Sequence, residues 1–225
     1  MKKFILAAYL FLVPTISFGK PVPFESANTT NDSPYPNFYW DDANEGFTLS
    51  NSGLLSSKSK STNPKLKLPI DKGFWIDGLN VQRSDSDFIL AIGLTNSEDA
   101  GGIICRVKWP QNKVQWCQNI PGFNMHVSSS NGYLYVGAIG LMSKIDPANG
   151  HFIWRHDGLY EKDHSLNIVC LTDENKTTVT FNASSGSAGA NSAIEQILLD
   201  SNTGKILQTS VVGTGYICRN KLTTN

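Results

Sequence analysis

No charge of one sign dominates this sequence: 19 lysines and arginines stand against 19 aspartates and glutamates. A chain without net charge has no long-range field to draw in nucleic acid or an anionic membrane surface, so both drop out as expected partners. Beyond the first residues there is no apolar run of the roughly 20 residues that a membrane span requires. The four cysteines, Cys105, Cys117, Cys170 and Cys218, include no C-x-x-C spacing, which leaves disulfides as the expectation over metal or redox chemistry. Gly186-Ser187-Ala188-Gly189 is not the G-x-S-x-G of a nucleophile elbow, and no helix is predicted to follow it.

What is present begins with a leader. Lys2 and Lys3 precede an apolar stretch from Phe4 to Val13, and Ser17-Phe18-Gly19 gives a small-x-small cleavage site. Residues 1–19 are therefore expected to be a secretory signal peptide, and the protein to be exported to a bacterial periplasm or secreted. No cysteine follows the cleavage site, so a lipid anchor is not expected. Residues 20–37 are rich in Pro, Ser, Thr and Asn and too poor in apolar side chains to pack alone, which predicts a flexible N-terminal segment. Asn28, Asn31, Asn175 and Asn182 lie in N-x-S/T sequons, which matter only in a eukaryotic source.

The most regular stretch is Asn131 to Gly158. It reads as three short strands, Tyr133–Ala138, Leu141–Ile145 and His151–Arg155, separated by Ile139-Gly140 and by Asp146-Pro147-Ala148-Asn149-Gly150. Pro supplies a fixed φ in that second turn and Gly a positive one. The pattern returns on both sides at a spacing of ~40–50 residues. An earlier repeat is predicted over Phe74–Val81, Asp87–Leu94, Gly102–Trp109 and Lys113–Ile120, with Trp116 matching Trp154, Asn112 matching Gly150, and Lys108 in place of the turn aspartate. The middle repeat gains an inner strand at Asn124–Ser128. A later repeat covers Leu166–Leu171, Thr177–Asn182, Ala193–Leu199 and Lys205–Val211, with Asp200 to Gly204 matching Asp146 to Gly150.

This string of apolar strand, aspartate, Gly-ended turn and Trp-bearing strand resembles the PQQ-like β-propeller repeat family, whose members include quinoprotein dehydrogenases and a periplasmic outer-membrane assembly lipoprotein. The resemblance implies an all-β fold over residues 38–225, a small β-propeller or propeller-like array of three to four four-stranded blades, with Trp116 and Trp154 as blade-core residues between neighbours. It implies an exported, non-enzymatic, protein-binding scaffold. The alternative is a small-ligand or carbohydrate-binding propeller, and the third reading is a quinone-dependent oxidoreductase. Quinone enzymes of the family resemble eight-bladed discs with an adjacent cysteine pair and acidic calcium ligands. No two cysteines are adjacent here, so no cofactor and no catalytic or metal residues are expected.

Smaller features are weighed in the same way. Phe38 to Leu49 resembles Lys144 to Trp154 with one residue inserted, and reads either as a strand-turn-strand or as an arm docking Tyr39 and Trp40. Asp41, Asp42, Asn44 and Glu45 lack calcium-loop spacing. Ser50 to Lys72 reads as a loop, whose Lys58, Lys60, Lys65 and Lys67 suit a solvated surface or an acidic partner. His151, His156 and His164, with Asp157 and Asp163, lack zinc-ligand spacing, and His126 falls on an inner strand. Trp75 and Trp109 would mark a sugar or partner surface if exposed together.

Cys105 and Cys117 lie six residues on either side of Gln111, so a hairpin in register sets them opposite one another for a disulfide. Gly213 to Asn220 looks like Leu166 to Thr172. It is expected to supply an inner strand to the pair at Phe38–Leu49, closing a fourth blade from both termini and linking Cys170 to Cys218. The competing arrangement leaves blade edges free for self-association or for a partner.

Overall fold

The computed structural model describes residues 37–42, 45–57, 65–84, 87–96, 100–109, 111–121, 125–157, 166–185 and 193–214. Among these there are sixteen strands and no helix, arranged as four antiparallel four-stranded sheets, each a meander of consecutive strands. The first sheet holds β1 (Phe38–Asp42), β2 (Glu45–Leu49), β3 (Leu54–Ser57) and β4 (Lys65–Lys67). The second holds β5 (Trp75–Ser84), β6 (Asp87–Thr95), β7 (Ala100–Lys108) and β8 (Lys113–Pro121). The third holds β9 (His126–Ser130), β10 (Tyr133–Ala138), β11 (Leu141–Ile145) and β12 (Phe152–His156). The fourth holds β13 (Leu166–Glu174), β14 (Thr178–Ser185), β15 (Ala193–Asp200) and β16 (Ile206–Thr214). The fold is all-β, a propeller-like array of four blades.

Side-chain parity explains why the central strands are apolar without alternation. Successive residues of a strand point to opposite faces. On β6, Phe88, Leu90 and Ile92 join the core shared with the first sheet, while Ile89 and Ala91 join the core shared with the third. On β10, Leu134, Val136 and Ala138 face back to the second sheet and Tyr135 faces forward to the fourth. The sheets thus stack face to face in chain order. The fourth turns Val179, Phe181, Ile197 and Leu199 toward the third and leaves Thr178, Thr180 and Leu198 half-buried on its other side.

Two expectations are corrected here. Ser50 to Lys72 is not all loop, because it contributes β3 and β4, so the four described strands of the first blade all come from residues 38–67. The signal in β3 was a half-buried alternation of only four residues, Leu54 to Ser57, amid serine and lysine. The match of Phe38–Leu49 to the repeat also fails in geometry. Asp42 pairs with Glu45 around a two-residue connection, whereas Ile145 pairs with Phe152 around the whole Asp146–Gly150 turn. Phe38 to Leu49 is nevertheless a strand-turn-strand, and its Trp40 and Phe47 stack at 5.3 Å and meet Phe88 edge-on.

Cys105 and Cys117 are direct cross-strand partners on β7 and β8, joined by a disulfide with Cα atoms 4.1 Å apart. The bond closes a short loop, so it limits the unfolded chain by at most ~3 kcal/mol. We expect reduction to lower the unfolding free energy by no more than that amount, read from urea unfolding of the chain with and without dithiothreitol. A loss well beyond it would mean that the pair also holds the second sheet in shape. Of the expected closing strand Gly213–Asn220, Gly213 and Thr214 end β16, paired with β15, while residues 215–220 lie outside the described residues, as do Cys218, the side chain of Cys170 and residues 1–36.

Candidate functional site: the joints between blades

The side chains that sequence reasoning singled out converge on the joints between neighbouring sheets. The turn after β11 is locked by its own aspartate. Asp146 accepts the Ala148 N–H at 2.8 Å on Oδ1 and the Asn149 side-chain amide at 2.8 Å on Oδ2, while its carbonyl accepts the Gly150 N–H at 2.8 Å. The turn after β15 repeats the plan. Asp200 Oδ1 accepts the Thr203 N–H and hydroxyl, both at 2.8 Å, and its carbonyl accepts the Gly204 N–H at 2.9 Å. Those Thr203 bonds hold the Asp200 carboxyl below its ordinary pKa. In each turn the carbonyl after the aspartate, that of Pro147 or Ser201, is left for the preceding sheet.

The preceding sheet fills it with two donors. From the second sheet, Trp116 Nε1–H donates to the Pro147 carbonyl at 3.0 Å and Arg106 Nη1–H at 2.8 Å. From the third, Trp154 Nε1–H donates to the Ser201 carbonyl at 3.0 Å and Lys144 Nζ–H at 2.9 Å. A carbonyl has two lone pairs, so one oxygen satisfies both donors. Arg106 and Trp116 are direct cross-strand partners, as are Lys144 and Trp154. The joint is therefore a repeated clasp, a cation on the third strand and a tryptophan ten residues later on the fourth, gripping the next blade's turn. The cations were missed in the sequence, although a basic residue ten positions before each repeat tryptophan was readable. At the matching places in the fourth sheet stand Leu198 and Gln208, also cross-strand partners, so that sheet carries no such clasp.

The turn glycines are fixed by the same contact. A Cβ on Gly150 would lie 2.6 Å from the Trp116 ring, and one on Gly204 would lie 2.7 Å from the Trp154 ring, with φ at +78° and +71°. Alanine at either position is expected to cost roughly 2–4 kcal/mol, combining left-handed strain with a displaced indole. Gly132, at φ +79° with nothing near its Cβ position, isolates the strain alone at ~1–2 kcal/mol. Equal losses at Gly132 and Gly204 in urea unfolding would remove the packing argument.

The two clasps differ in how the cation is held: Arg106 is half-buried and Lys144 buried. Arg106 pairs with Asp87 on β6, donating Nε–H at 2.7 Å. Lys144 is buried, lies over the Tyr133 ring at 4.0 Å, and also donates to Ser201 Oγ at 3.1 Å. Burial lowers its pKa, opposed by the charges of Glu174 and Asp200. The Tyr135 hydroxyl donates to Glu174 Oε1 and lies 3.3 Å from Ser201 Oγ. Burial and then Glu174 raise its pKa. His156 Nε2 lies 2.6 Å from the Gly204 carbonyl and adds a further tie.

The remaining candidates do not gather into a site. His151 is exposed, Asp157 is paired with Arg155 at 2.7 Å, and His126 opens β9 with an exposed side chain. Asp163 and His164 lie outside the described residues, as do Lys58 and Lys60. Lys65 and Lys67 are exposed on β4. Trp109 is buried, edge-on to Phe47 at 5.3 Å, and Trp75 is half-buried on β5, so the two are not exposed together. Among the described residues no group of three or more His, Cys, Asp or Glu could hold a metal ion, and no helix is long and apolar enough to cross a membrane.

No protein-family model matches the chain, and no curated protein matches it. Among solved structures, the crystal structure of BamB from Moraxella catarrhalis is similar over 78% of this chain and 76% of its own, at 12% identity and a TM-score of 0.28. At those values the likeness carries no functional inference, and the propeller-like architecture rests on the strand pairing itself.

Proposed function

We propose that this chain is an exported, non-enzymatic scaffold that binds another protein through the edges and loops of its blades. One observation carries the reading: the polar side chains that cluster among the described residues are committed to holding one sheet to the next. Arg106 and Asp87 serve the joint between the second and third sheets, and Lys144, Tyr135 and Glu174 the joint between the third and fourth. What the array offers to solvent instead is strand edge, whose unpaired backbone groups suit strand addition by a protein partner. Export is supported by the leader-like residues 1–19 and by the Cys105–Cys117 link, a bond that persists in oxidising compartments.

The test is affinity capture on the immobilised chain from the exported fraction of its native host, then titration of the purified hit. A protein that binds saturably at a fixed stoichiometry supports the reading. Saturable binding of an oligosaccharide with no protein partner, or a stoichiometric quinone in the chain as isolated, would replace it.

A further inference from the structure

The edges of the four sheets are not alike. The last strands of the first three carry charge: Lys65 and Lys67 on β4, Lys113 on β8 together with Pro121, and Arg155 on β12. Charged residues and proline on an edge oppose pairing with another chain. β16, the last strand of the fourth sheet, runs nine residues as ILQTSVVGT without a charge or a proline. It exposes Ile206 at 41%, Leu207 at 50%, Val211 at 69% and Val212 at 51%, the largest exposed apolar residues of the described chain apart from Ile153. The sheet order ends on it.

The order of those side chains says what fits there. Read from either end toward Thr209, the strand runs two apolar residues and then one polar one: Ile206, Leu207, Gln208 from one side, Val212, Val211, Ser210 from the other. An antiparallel copy centred on Thr209 therefore sets Ile206 opposite Val212, Leu207 opposite Val211, and Gln208 opposite Ser210. Every apolar side chain meets an apolar one, and no charge meets its like. Such self-complementarity under a two-fold axis is what an isologous contact requires. Gln208 to Val211 continue the ladder of β15 residue for residue, and Leu207 and Val212, the two places where the register shifts, bracket that regular stretch. The fourth sheet lacks the cation and tryptophan of the clasp, so it has no counterpart of the device that seats a further blade on its face.

We propose that β16 is a homodimerisation edge: two copies of this chain pair antiparallel through Leu207–Val211, centred on Thr209, with Leu207 and Val211 meeting across the axis. The proposal deepens the protein-binding reading by naming one surface and one partner, a second copy of the chain.

Sedimentation velocity of the full exported chain over a range of concentrations tests it, beside two variants. The wild type is expected to pass from monomer to dimer. Leu207→Lys with Val211→Lys puts four like charges into the shared edge and should weaken dimerisation by ~100-fold or more, with circular dichroism unchanged because both positions are solvent-exposed in the monomer. Thr209→Cys places one thiol opposite its own copy, so mild oxidation should yield a disulfide-linked dimer absent from oxidised wild type. A wild type that stays monomeric throughout overturns the proposal, as does a dimer that survives the lysine pair in a folded chain. If the lysine variant fails to fold, Thr209→Cys decides, and absence of its covalent dimer sinks the idea. Partner capture repeated on the lysine variant separates the two readings. A retained heterologous partner keeps the scaffold function whether or not the chain self-pairs.

Discussion

Replacing Trp154 with alanine is expected to cost roughly 3–5 kcal/mol of stability, the range for truncating a buried aromatic side chain. The indole is buried between Tyr135, at a centroid distance of 6.3 Å, and Phe181, also at 6.3 Å, and seals the turn glycine of the next blade. Trp154→Phe keeps most of that packing and removes only the donor to the Ser201 carbonyl, which Lys144 still serves. It should therefore cost nearer ~1 kcal/mol. Trp116→Ala should fall below Trp154→Ala, because Trp116 is only half-buried in its joint. Urea unfolding of the three variants ranks them. Equal losses for the phenylalanine and alanine substitutions at Trp154 would shift the weight of the joint from packing to the single hydrogen bond.

The second large effect is expected at Lys144. Truncating it to alanine removes a buried cation that bonds Ser201 and leaves Glu174 without its countercharge, for a loss of roughly 3–5 kcal/mol. Glu174 Oε2 is already buried with no hydrogen-bond partner among the described residues, so the nearby lysine is the cation that faces it. A double variant, Lys144→Met with Glu174→Gln, removes both charges at nearly constant volume and should recover much of that loss, giving strong non-additivity. The pH dependence has a definite sign. Burial holds Lys144 below 10.5 in the folded chain, so unfolding takes up a proton in the window between its lowered value and 10.5. Its contribution to stability rises with pH across that window. The stability difference between wild type and Lys144→Met should move in favour of wild type as pH climbs toward 10.5. A difference that shrinks there would contradict a desolvated ammonium.

The parts of this architecture legible in the sequence are those that local chemistry dictates. Asp and Gly at the ends of the Asp146–Gly150 and Asp200–Gly204 turns announce hairpins because the carboxylate caps the turn amides and only glycine tolerates the φ and the indole above it. Twelve strands of the last three sheets follow from those punctuations, and Cys105 with Cys117 follows from hairpin symmetry. The first sheet was less readable, because β4 is three residues long with only Leu66 turned inward, and its neighbour β3 buries just Leu55 and Ser57. No local pattern marks so small a strand. Its place is set by the aromatic cluster that Trp40 and Phe47 form with Phe88 and Trp109 of the second sheet. The clasp cations were hidden for a different reason. A lysine or arginine beside a strand end reads as solvated until the next blade's carbonyl is known to lie above it, and that placement is tertiary.

The central claim is that the second and third blades are each joined to the blade after them by an indole donor into its turn, and the exchange rates of the tryptophan indole N–H groups test it most directly. In nitrogen-15-labelled protein, with Trp116→Phe and Trp154→Phe used to assign the two signals, hydrogen exchange is followed for all five tryptophans. The account predicts that the Nε1 hydrogens of Trp116 and Trp154 exchange slowly, that of Trp154 slowest, and that Gly150→Ala and Gly204→Ala each accelerate exchange at the tryptophan above the altered turn. Fast exchange of both indoles in the folded wild type, at the rate of a solvent-exposed tryptophan, would contradict it.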